Sequence, residues 1–358
     1  RLGAGVCKAL LGKAALPDDL PYVTGQMGLL GTSPSYDLMR ECDAFLMVGS
    51  GFPYAEFLPE EGSASGVQID IDPGMLSLRY PMEVNLAGDA ADTLAALLPL
   101  LEDRGRTDWR EKIETDVARW WEGVEKRAHL KGDPVNPQLL FWECSPRLPD
   151  GAIVAADSGT TSNWYARALR LREGMKGSLS GTLATMCPAV PYATAAKLTH
   201  PGRVAVAFVG DGAMQMLGNA GLITIAKYSR DWADPRLVVA VLNNGDLNQV
   251  TWEMRAMGGF PKVEETQSVP AFDYAAYAAS LGLEGIRVEA PEQVVPAWEA
   301  AFAADRPVVI DCVCDPTIPT LPPTVSSAQA RNYFKTLMKG DPDEAAIIRN
   351  VLRSYVTS

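Results

Sequence analysis

Two polar motifs in the middle of the chain each follow an apolar segment. Residues 204–209 lead into Asp211, which lies between two glycines, and residues 237–242 lead into Asn244. Because the carboxyl ends of neighbouring parallel strands open onto one crevice, we expect the carboxylate and the amide to meet there. Carboxylate, amide and carbonyl oxygens suit Mg²⁺, whose remaining positions phosphate oxygens can fill. The amino terminus of the helix that follows Asp211 would bind the negatively charged phosphates. The spacing therefore predicts a diphosphate anchored through a metal.

Together, the two motifs resemble the thiamine diphosphate motif of the decarboxylase, oxidase and acetolactate synthase superfamily. The resemblance implies that Asp211 and Asn244 are side-chain ligands of Mg²⁺ and that the Asp246 carbonyl is the third protein ligand. It adds four residues to the cofactor site: Gly210, Gly212, Ala213 and Leu247. The interval between the motifs is longer than usual, and the extra residues fall in a polar loop ahead of the second strand, where insertions are tolerated. Without its partner, the glycine-flanked aspartate is also compatible with an ordinary Rossmann-like turn.

A turn rich in hydroxyl groups follows another predicted strand, residues 153–156. Gly159 allows a close approach of the backbone, and the hydroxyls of Thr160 and Thr161 can donate hydrogen bonds to phosphate oxygens. In the resembling family this turn grips the diphosphate. On the residues alone, an ordinary helix N-cap is the alternative.

Met186 stands 25 residues before Asp211. In acetolactate synthases and pyruvate oxidases a bulky apolar residue at this spacing supports the bent cofactor under its thiazolium ring, so the resemblance implies a catalytic role for Met186. It also implies that the Met186 amide and the Ala184 carbonyl hold the aminopyrimidine. A glycine is more usual at the position of Ala184. A buried structural methionine is the alternative for Met186.

Glu253 lies nine residues after Asn244. This spacing matches a glutamate of pyruvate oxidases that contacts the reacting adduct, so the resemblance implies a catalytic role for Glu253. The usual Tyr-Gly pair of this segment is replaced by Leu247 and Asn248. A surface carboxylate on a helix is the alternative.

The composition favours a globular chain of two domains. The 358 residues suffice for two domains, 47 % of them are hydrophobic, and no apolar run approaches the roughly 18 residues that span a membrane. A net charge of −12 argues against nucleic acid as a partner, because binding a phosphate backbone needs basic surface. Six cysteines without framework spacing, and no signal peptide, predict a reduced cytoplasmic protein.

Strand-length apolar segments and helical segments alternate, which predicts an α/β fold class with two parallel-sheet, three-layer domains and a helical C-terminal tail. Four regions are predicted: a partial central Rossmann-like domain (1–103), a connector helix and linker (104–135), a diphosphate-binding domain (136–315) and the tail (316–358). The predicted strands are residues 44–48, 67–71, 153–156, 204–209, 237–242 and 308–313. The predicted helices are residues 36–41, 90–101, 109–129, 214–228 and 343–356.

The resemblance covers nearly the whole chain and is closest to pyruvate oxidase-like members. It implies a central domain that can hold FAD, but the glycine-rich part of that site would precede Arg1, so FAD is left open. Family members also carry an amino-terminal pyrimidine-binding domain, whose glutamate drives a proton relay. Residues 1–103 do not resemble that domain. We therefore expect a truncated chain that shows little turnover alone. Family active sites form between subunits, which implies a homo-dimer or tetramer.

The implied activity is thiamine diphosphate- and Mg²⁺-dependent decarboxylation of a 2-oxo acid, with pyruvate expected and an oxidase-like outcome. Two alternatives stay open: an acetolactate synthase-like carboligase, and a truncated, non-catalytic cofactor-binding or assembly fragment. The tail leaves peripheral membrane contact open, because apolar residues share one predicted helix face beside two arginines. A tail docked on its own subunit is the alternative. The apolar residues are Ile347, Ile348, Val351, Leu352 and Tyr355.

Overall fold

A computed structural model describes residues 1–320, 322 and 324–356. The chain divides into two compact units, one comprising residues 1–10 and 20–121 and the other residues 11–19 and 122–358. Every strand pairing within the sheets is parallel. The α/β fold class with parallel sheets and a helical C-terminal region is confirmed. The predicted domain boundaries at residues 103, 135 and 315 stay predictions.

The first unit contains two small sheets. A two-stranded sheet pairs β1 with β2, and a three-stranded sheet has the order β3-β4-β5. Its strands are β1 (Val6–Lys8), β2 (Val23–Gln26), β3 (Ala44–Val48), β4 (Ser65–Asp70) and β5 (Val84–Ala87). β3 lies where it was predicted, whereas β4 is shifted toward the amino terminus. The chain leaves β4 at Asp70, whose carboxylate accepts a hydrogen bond from the Asp72 N–H, so the predicted strand residue Ile71 is 75 % exposed.

Helix ends in this unit follow from capping. α1 (Ser33–Glu41) begins three residues before the predicted helix, because the Thr32 side chain accepts a hydrogen bond from the Ser35 N–H. Asp89 caps α2 (Ala90–Leu97) in the same way. The predicted helix to residue 101 was too long, since a 3₁₀ turn containing Pro99 follows α2.

A helix of 21 residues, α3 (Asp108–Ala128), matches the predicted connector helix within one residue at each end. Ile113, Val117 and Val124 on this helix are buried. Their spacing of four and seven residues puts them on one face, as expected for a helix that packs along a single stripe.

The second unit contains a six-stranded parallel sheet with the order β10-β11-β9-β8-β6-β7. Its strands are β6 (Ile153–Ala156), β7 (Lys176–Ser178), β8 (Ala205–Gly210), β9 (Leu237–Asn243), β10 (Glu284–Val288) and β11 (Val308–Val313). The helices around it are α4 (Pro137–Arg147), α5 (Thr160–Arg167), α6 (Ala189–Thr199), α7 (Asp211–Ala213), α8 (Asn219–Tyr228), α9 (Asn248–Glu253), α10 (Glu264–Gln267), α11 (Tyr274–Ser280) and α12 (Val294–Ala303). The helix predicted to begin at residue 214 begins at Asp211 instead, and a π-helical turn, Met214–Gly218, joins α7 to α8.

Alternate residues of β8 pack against helices on opposite faces of the sheet. Phe208 stacks on Phe141 of α4 with ring centroids 4.2 Å apart and lies 5.8 Å from Trp298 of α12. The neighbouring Val209 faces the other way, into a cluster that includes Val190 of α6. This alternation gives helix, sheet and helix in three layers.

The strand order puts β6, β8 and β9 side by side. From β6 the chain goes first to β7 on one side and then to β8 on the other, which makes the carboxyl ends of β6 and β8 a topological switch point. Ala156 is opposite Phe208 and Gly210 is opposite Leu242, so the three strands end at nearly the same level. Most of the predicted cofactor residues lie at the ends of these three strands, whereas Ala184 and Met186 follow β7.

The C-terminal region forms two helices, α13 (Ser327–Met338) and α14 (Glu344–Val356). Ile347 on α14 is buried, whereas Leu352 is 61 % exposed, so the two edges of the predicted apolar face have different surroundings. The side chain of Tyr355, also assigned to that face, lies outside the described part of the chain. Among the described residues no helix has the length and apolar character needed to cross a membrane. Peripheral membrane contact stays a prediction.

Candidate cofactor and metal site

The structure brings the two central motifs together. Asp211 follows β8, and its Oδ2 accepts hydrogen bonds from the backbone N–H groups of Asn244 and Gly245, at 2.8 and 2.6 Å. Its Oδ1 accepts from the Gly212 N–H at 2.8 Å. The carboxylate therefore fixes its own turn and the turn after β9 at once.

The electrostatics of this carboxylate suit a cation. Burial raises the pKa of Asp211 to about 6, and the charge of Asp246 acts in the same direction, while the three backbone N–H groups oppose the shift. A nearby positive charge would favour the ionised form and lower this pKa. The Asp211 carboxylate is thus a buried anion for which a divalent cation would be a stabilising partner.

Asn244 and Asp246 present oxygen atoms of different kinds. The Asn244 Oδ1 accepts a hydrogen bond from the Asp246 N–H at 3.1 Å and keeps a second lone pair. The Asp246 carboxylate is held by the side chains of Thr251 at 2.9 Å, Asn248 at 3.0 Å and Lys262 at 3.4 Å. Because these neighbours occupy its carboxylate, the backbone carbonyl is the oxygen that Asp246 would offer to a metal, and this role stays a prediction.

Gly212 lies where three apolar side chains converge. A Cβ atom at Gly212 would lie 2.7 Å from Leu247 Cδ2, 3.4 Å from Met186 Cε and 3.6 Å from Val269 Cγ2. The absence of a side chain at Gly212 therefore lets Leu247 and Met186 approach the amino terminus of α7 closely. These contacts unite three of the residues predicted to line the cofactor.

The hydroxyl-rich turn after β6 lies beside the Asp211 turn. Gly159 adopts a φ of 93°, which favours glycine, and α5 begins after it without a capping side chain. Thr161 Oγ1 lies 3.8 Å from the position that a Cβ on Gly210 would take. The uncapped first turn of α5 thus offers backbone N–H groups next to the carboxyl end of β8, as anion binding requires.

The segment that carries Met186 has an unusual backbone. Ala184 and Cys187 have φ values of 47° and 81°, in the left-handed region that side chains disfavour. Ala184 is exposed, Met186 is partly buried against the core, and Cys187 is 3 % exposed. The glycine expected at the position of Ala184 would have fitted this conformation without strain.

Glu253 lies at the end of α9 and is exposed. Its Oε1 accepts a hydrogen bond from Gln249 Nε2 at 2.9 Å, and Gln249 Oε1 accepts from Asn163 Nδ2 at 2.7 Å. Asn163 belongs to α5 and is 1 % exposed. Glu253 is therefore connected through Gln249 to α5, and its catalytic role stays a prediction.

Three residues that support the site were not predicted from the sequence. The Tyr274 hydroxyl donates to the Asp211 carbonyl at 3.1 Å. Asp311 on β11 accepts hydrogen bonds from the Tyr274 N–H at 3.0 Å and from Asn243 Nδ2 at 2.9 Å. Asp157, at the end of β6, accepts from the Cys187 N–H at 2.7 Å. For Asp157 the only available signal was an acidic residue at the tip of a strand; Tyr274 and Asp311 had none.

The predicted ligand set fits Mg²⁺ by its chemistry. The part of the chain that the structure describes contains no cluster of three His, Cys, Asp or Glu residues suited to a metal. One carboxylate, one amide oxygen and one carbonyl are all hard oxygen donors, and Mg²⁺ commonly completes its shell with phosphate and water. The individual roles of these residues stay predictions.

Two family models match the chain. Residues 157–312 match the model described as thiamine pyrophosphate enzyme, C-terminal TPP binding domain. Residues 1–97 match the model described as thiamine pyrophosphate enzyme, central domain. Thiamine pyrophosphate is the same compound as thiamine diphosphate, so the predicted resemblance is confirmed.

Curated relatives include enzymes of two named activities. The chain is 32 % identical to the putative thiamine pyrophosphate-containing protein YdaP of Bacillus subtilis, over 95 % of this chain and 57 % of the relative. It is 26 % identical to a probable acetolactate synthase large subunit of Methanocaldococcus jannaschii, over 89 % of this chain and 54 % of the relative. It is also 26 % identical to the pyruvate oxidase of Lactiplantibacillus plantarum, over 84 % of this chain and 49 % of that enzyme. The chain thus spans about half the length of the curated relatives it matches.

Proposed function

Because the chain belongs to the thiamine pyrophosphate enzyme family, we propose that it forms the diphosphate- and metal-binding part of an enzyme that decarboxylates a 2-oxo acid. The observation that carries the proposal is the direct contact of the Asp211 carboxylate with the turn that contains Asn244. Met186 and Leu247 both contact the position of Gly212, which adds an apolar surface beside that contact. A polar, cation-binding end next to an apolar wall matches the two ends of thiamine diphosphate.

Each end of the site has its own residues. Asp211, Asn244 and the Asp246 carbonyl would hold Mg²⁺, and the uncapped turn at Gly159, with Thr160 and Thr161, would hold the diphosphate. Gly210, Gly212 and Ala213 give the phosphates access to the backbone at the start of α7. Three further residues would contact the cofactor: Ala184, Met186 and Leu247. When bound, thiamine diphosphate supplies an electron sink that stabilises negative charge on the reacting carbon.

Other residues of the chain would contact the ring end of the cofactor and the substrate. The Met186 side chain would support the thiazolium ring, and the backbone between Ala184 and Met186 would hold the aminopyrimidine. Leu247 and Met186 lie close to Gly212 and would shield the start of α7 from water once the cofactor is bound, which would strengthen the electrostatic attraction between Asp211 and a cation. Glu253 would face the substrate, oriented by its hydrogen bond to Gln249.

We propose pyruvate as the substrate and an oxidase-like outcome, in which two electrons from the decarboxylated substrate pass to an acceptor. Similarity to a pyruvate oxidase supports this choice. The similarity to an acetolactate synthase subunit supports the second candidate, in which the same two-carbon unit is joined to another carbonyl compound. Binding of FAD to the first unit and assembly into a dimer or tetramer belong to the same proposal.

The test is to incubate the protein that contains this chain with pyruvate, thiamine diphosphate and Mg²⁺, with and without an artificial electron acceptor. Release of CO₂ that depends on the acceptor supports the oxidase. Release of CO₂ without an acceptor, accompanied by acetolactate, supports the carboligase. No CO₂ under either condition, with cofactor binding intact, would contradict both and favour a non-catalytic cofactor-binding or assembly role. Flavin absorbance of the purified protein tests the FAD proposal separately.

A further inference from the structure

Asp157 is a fully buried carboxylate at the end of β6, between the turn that begins α5 and the segment that carries Met186. Its Oδ1 accepts hydrogen bonds from the N–H groups of Ser158 at 2.9 Å and Cys187 at 2.7 Å. Its Oδ2 is buried without a hydrogen-bond partner within the described structure. The carboxylate is too deeply buried to be a surface feature, and the functions proposed above do not use it.

The residue that Asp157 holds is strained. Cys187 adopts a φ of 81°. This conformation costs free energy in a residue with a side chain, so it persists only where the surrounding structure enforces it. A charge-assisted hydrogen bond from the Cys187 N–H to Asp157 is such an enforcement, because bonds to ionised groups are stronger than neutral ones. The Cys187 Sγ also donates to the carbonyl of Ala213, the last residue of α7, at 3.2 Å, which links the segment to that helix.

The position of Met186 depends on these contacts. Met186 directly precedes Cys187, and its Cε lies 3.4 Å from the position that a Cβ on Gly212 would take. If the Cys187 N–H turned away from Asp157, φ of Cys187 would relax and the preceding peptide, which carries the Met186 carbonyl, would rotate with it. At the diphosphate end, the hydrogen bonds of Asp211 to the turn after β9 do not involve Asp157, and an amide oxygen at residue 157 could still accept from the Ser158 N–H.

We propose that Asp157 is a positioning residue that fixes the strained Ala184–Cys187 segment, and with it Met186, against the ring end of the cofactor. The inference rests on the proposed function, since it assigns Met186 to that end. It divides the cofactor site into two parts with separate supports: Asp157 supports the ring part, and the Asp211 turn supports the diphosphate part.

The experiment compares two ligands on the full chain. Calorimetric titrations with thiamine diphosphate and with inorganic pyrophosphate, both in Mg²⁺, are carried out on the wild-type chain, on Asp157→Asn and on Asp231→Asn. Asp231 is an exposed carboxylate, so its variant removes the same charge without touching the segment. We expect Asp157→Asn to weaken thiamine diphosphate binding by about tenfold, the loss of one charge-assisted hydrogen bond, and to leave pyrophosphate binding unchanged. Asp231→Asn should bind both ligands as the wild-type chain does.

An equal loss of both ligands in Asp157→Asn would overturn the inference, because a merely structural role would affect the whole site. Unchanged binding of thiamine diphosphate would overturn it too. A wild-type chain that binds thiamine diphosphate no more tightly than pyrophosphate would overturn the proposed function itself. The two failures are therefore distinguishable.

Substitutions of Cys187 provide a second route to the same test. Cys187→Gly, placed in the Asp157→Asn background, should restore much of the thiamine diphosphate affinity, because glycine adopts a φ of 81° without strain. If Asp157→Asn does not fold, Cys187→Val increases the strain at the same residue and must show the same selective loss. An equal loss of both ligands in Cys187→Val would again contradict the inference.

Discussion

The carboxylate of Asp211 accepts a hydrogen bond from the backbone N–H of Asn244 across 33 residues of sequence. Their strands, β8 and β9, are adjacent and parallel, with Gly210 opposite Leu242. The sheet register therefore determines the contact, and the intervening helix and loop can vary in length without changing it. This explains how an interval longer than usual between the two motifs is compatible with a formed site.

Substitution of Gly212 should damage the cofactor site without unfolding the protein. In Gly212→Ala the new Cβ would meet Leu247 Cδ2 at 2.7 Å, so that Leu247 must move. Overpacking of this kind costs about 1–3 kcal/mol, and we expect roughly tenfold weaker thiamine diphosphate binding in a titration. The matched control is Gly202→Ala, whose Cβ would meet no atom within 4 Å. Equal affinities for the two variants would contradict the close approach at Gly212.

Breaking the ion pair between Arg255 and Asp341 should destabilise the second unit. Arg255, in the π-helical turn after α9, donates two hydrogen bonds to Asp341 at 2.8 and 2.7 Å, and both side chains are buried. Removal of one partner leaves a buried charge unpaired, so we expect Arg255→Leu to lower the free energy of unfolding by about 3 kcal/mol or more in urea titrations.

The control for this pair is Arg306→Ala, because Arg306 forms its ion pair with Asp305 in an exposed position. Exposed pairs contribute little, so this variant should unfold as the wild-type chain does. If Arg255→Leu were equally neutral, the buried pair would not be formed in solution.

Asp157 should make the stability of the folded chain depend on pH. Burial raises the pKa of Asp157 from 3.8 to about 6, opposed by the hydrogen bonds from the N–H groups of Cys187 and Ser158. Between these two values the folded state binds more protons than the unfolded state, so the free energy of unfolding falls as the pH rises from about 4 to about 6.

The measurement is the difference in unfolding free energy between the wild-type chain and Asp157→Asn across this pH range, in buffer without Mg²⁺. The difference cancels the titration of Asp211, which is common to both proteins. Relative to the variant, the wild-type chain should lose on the order of 2–3 kcal/mol as the pH rises through the window and then remain constant. A difference that does not vary with pH would show that Asp157 has an ordinary pKa.

Glu253 should affect turnover and not cofactor affinity. In the protein that contains this chain, Glu253→Gln should lower the rate of pyruvate consumption by about a hundredfold, within the usual range for loss of a general acid or base. Thiamine diphosphate affinity should stay the same, because Glu253 is exposed and bonded to Gln249. Glu265→Gln, which alters another exposed carboxylate, is the control. A Glu253→Gln enzyme with normal turnover would remove Glu253 from the catalytic residues.

The sequence was sufficient where a run of apolar residues was nearly continuous. Strands β3, β6 and β11 lie at the predicted residues: β3 and β6 consist of apolar residues, and β11 has Asp311 as its one charged residue. Strands β5 and β7 were not predicted: all four residues of β5 are exposed, and β7 has only three residues. Such strands form because a neighbouring strand offers hydrogen bonds, which local sequence does not reveal.

The same contrast holds within the site. The motifs around Asp211 and Asn244 could be placed because adjacent parallel strands end together. The contact between Asp157 and Cys187 could not, because it joins residues 30 positions apart and depends on a left-handed residue that is not glycine. No local pattern indicates a strained conformation that tertiary contacts enforce.

Calorimetry can show whether Asp211 and a divalent cation form a diphosphate site in this chain. The chain is titrated with thiamine diphosphate in Mg²⁺ and in EDTA, beside Asp211→Ala and the exposed control Asp231→Ala. We expect binding that requires Mg²⁺, is lost in Asp211→Ala and is retained in Asp231→Ala. Binding that persists in EDTA or in Asp211→Ala, or no binding by the wild-type chain, would contradict it.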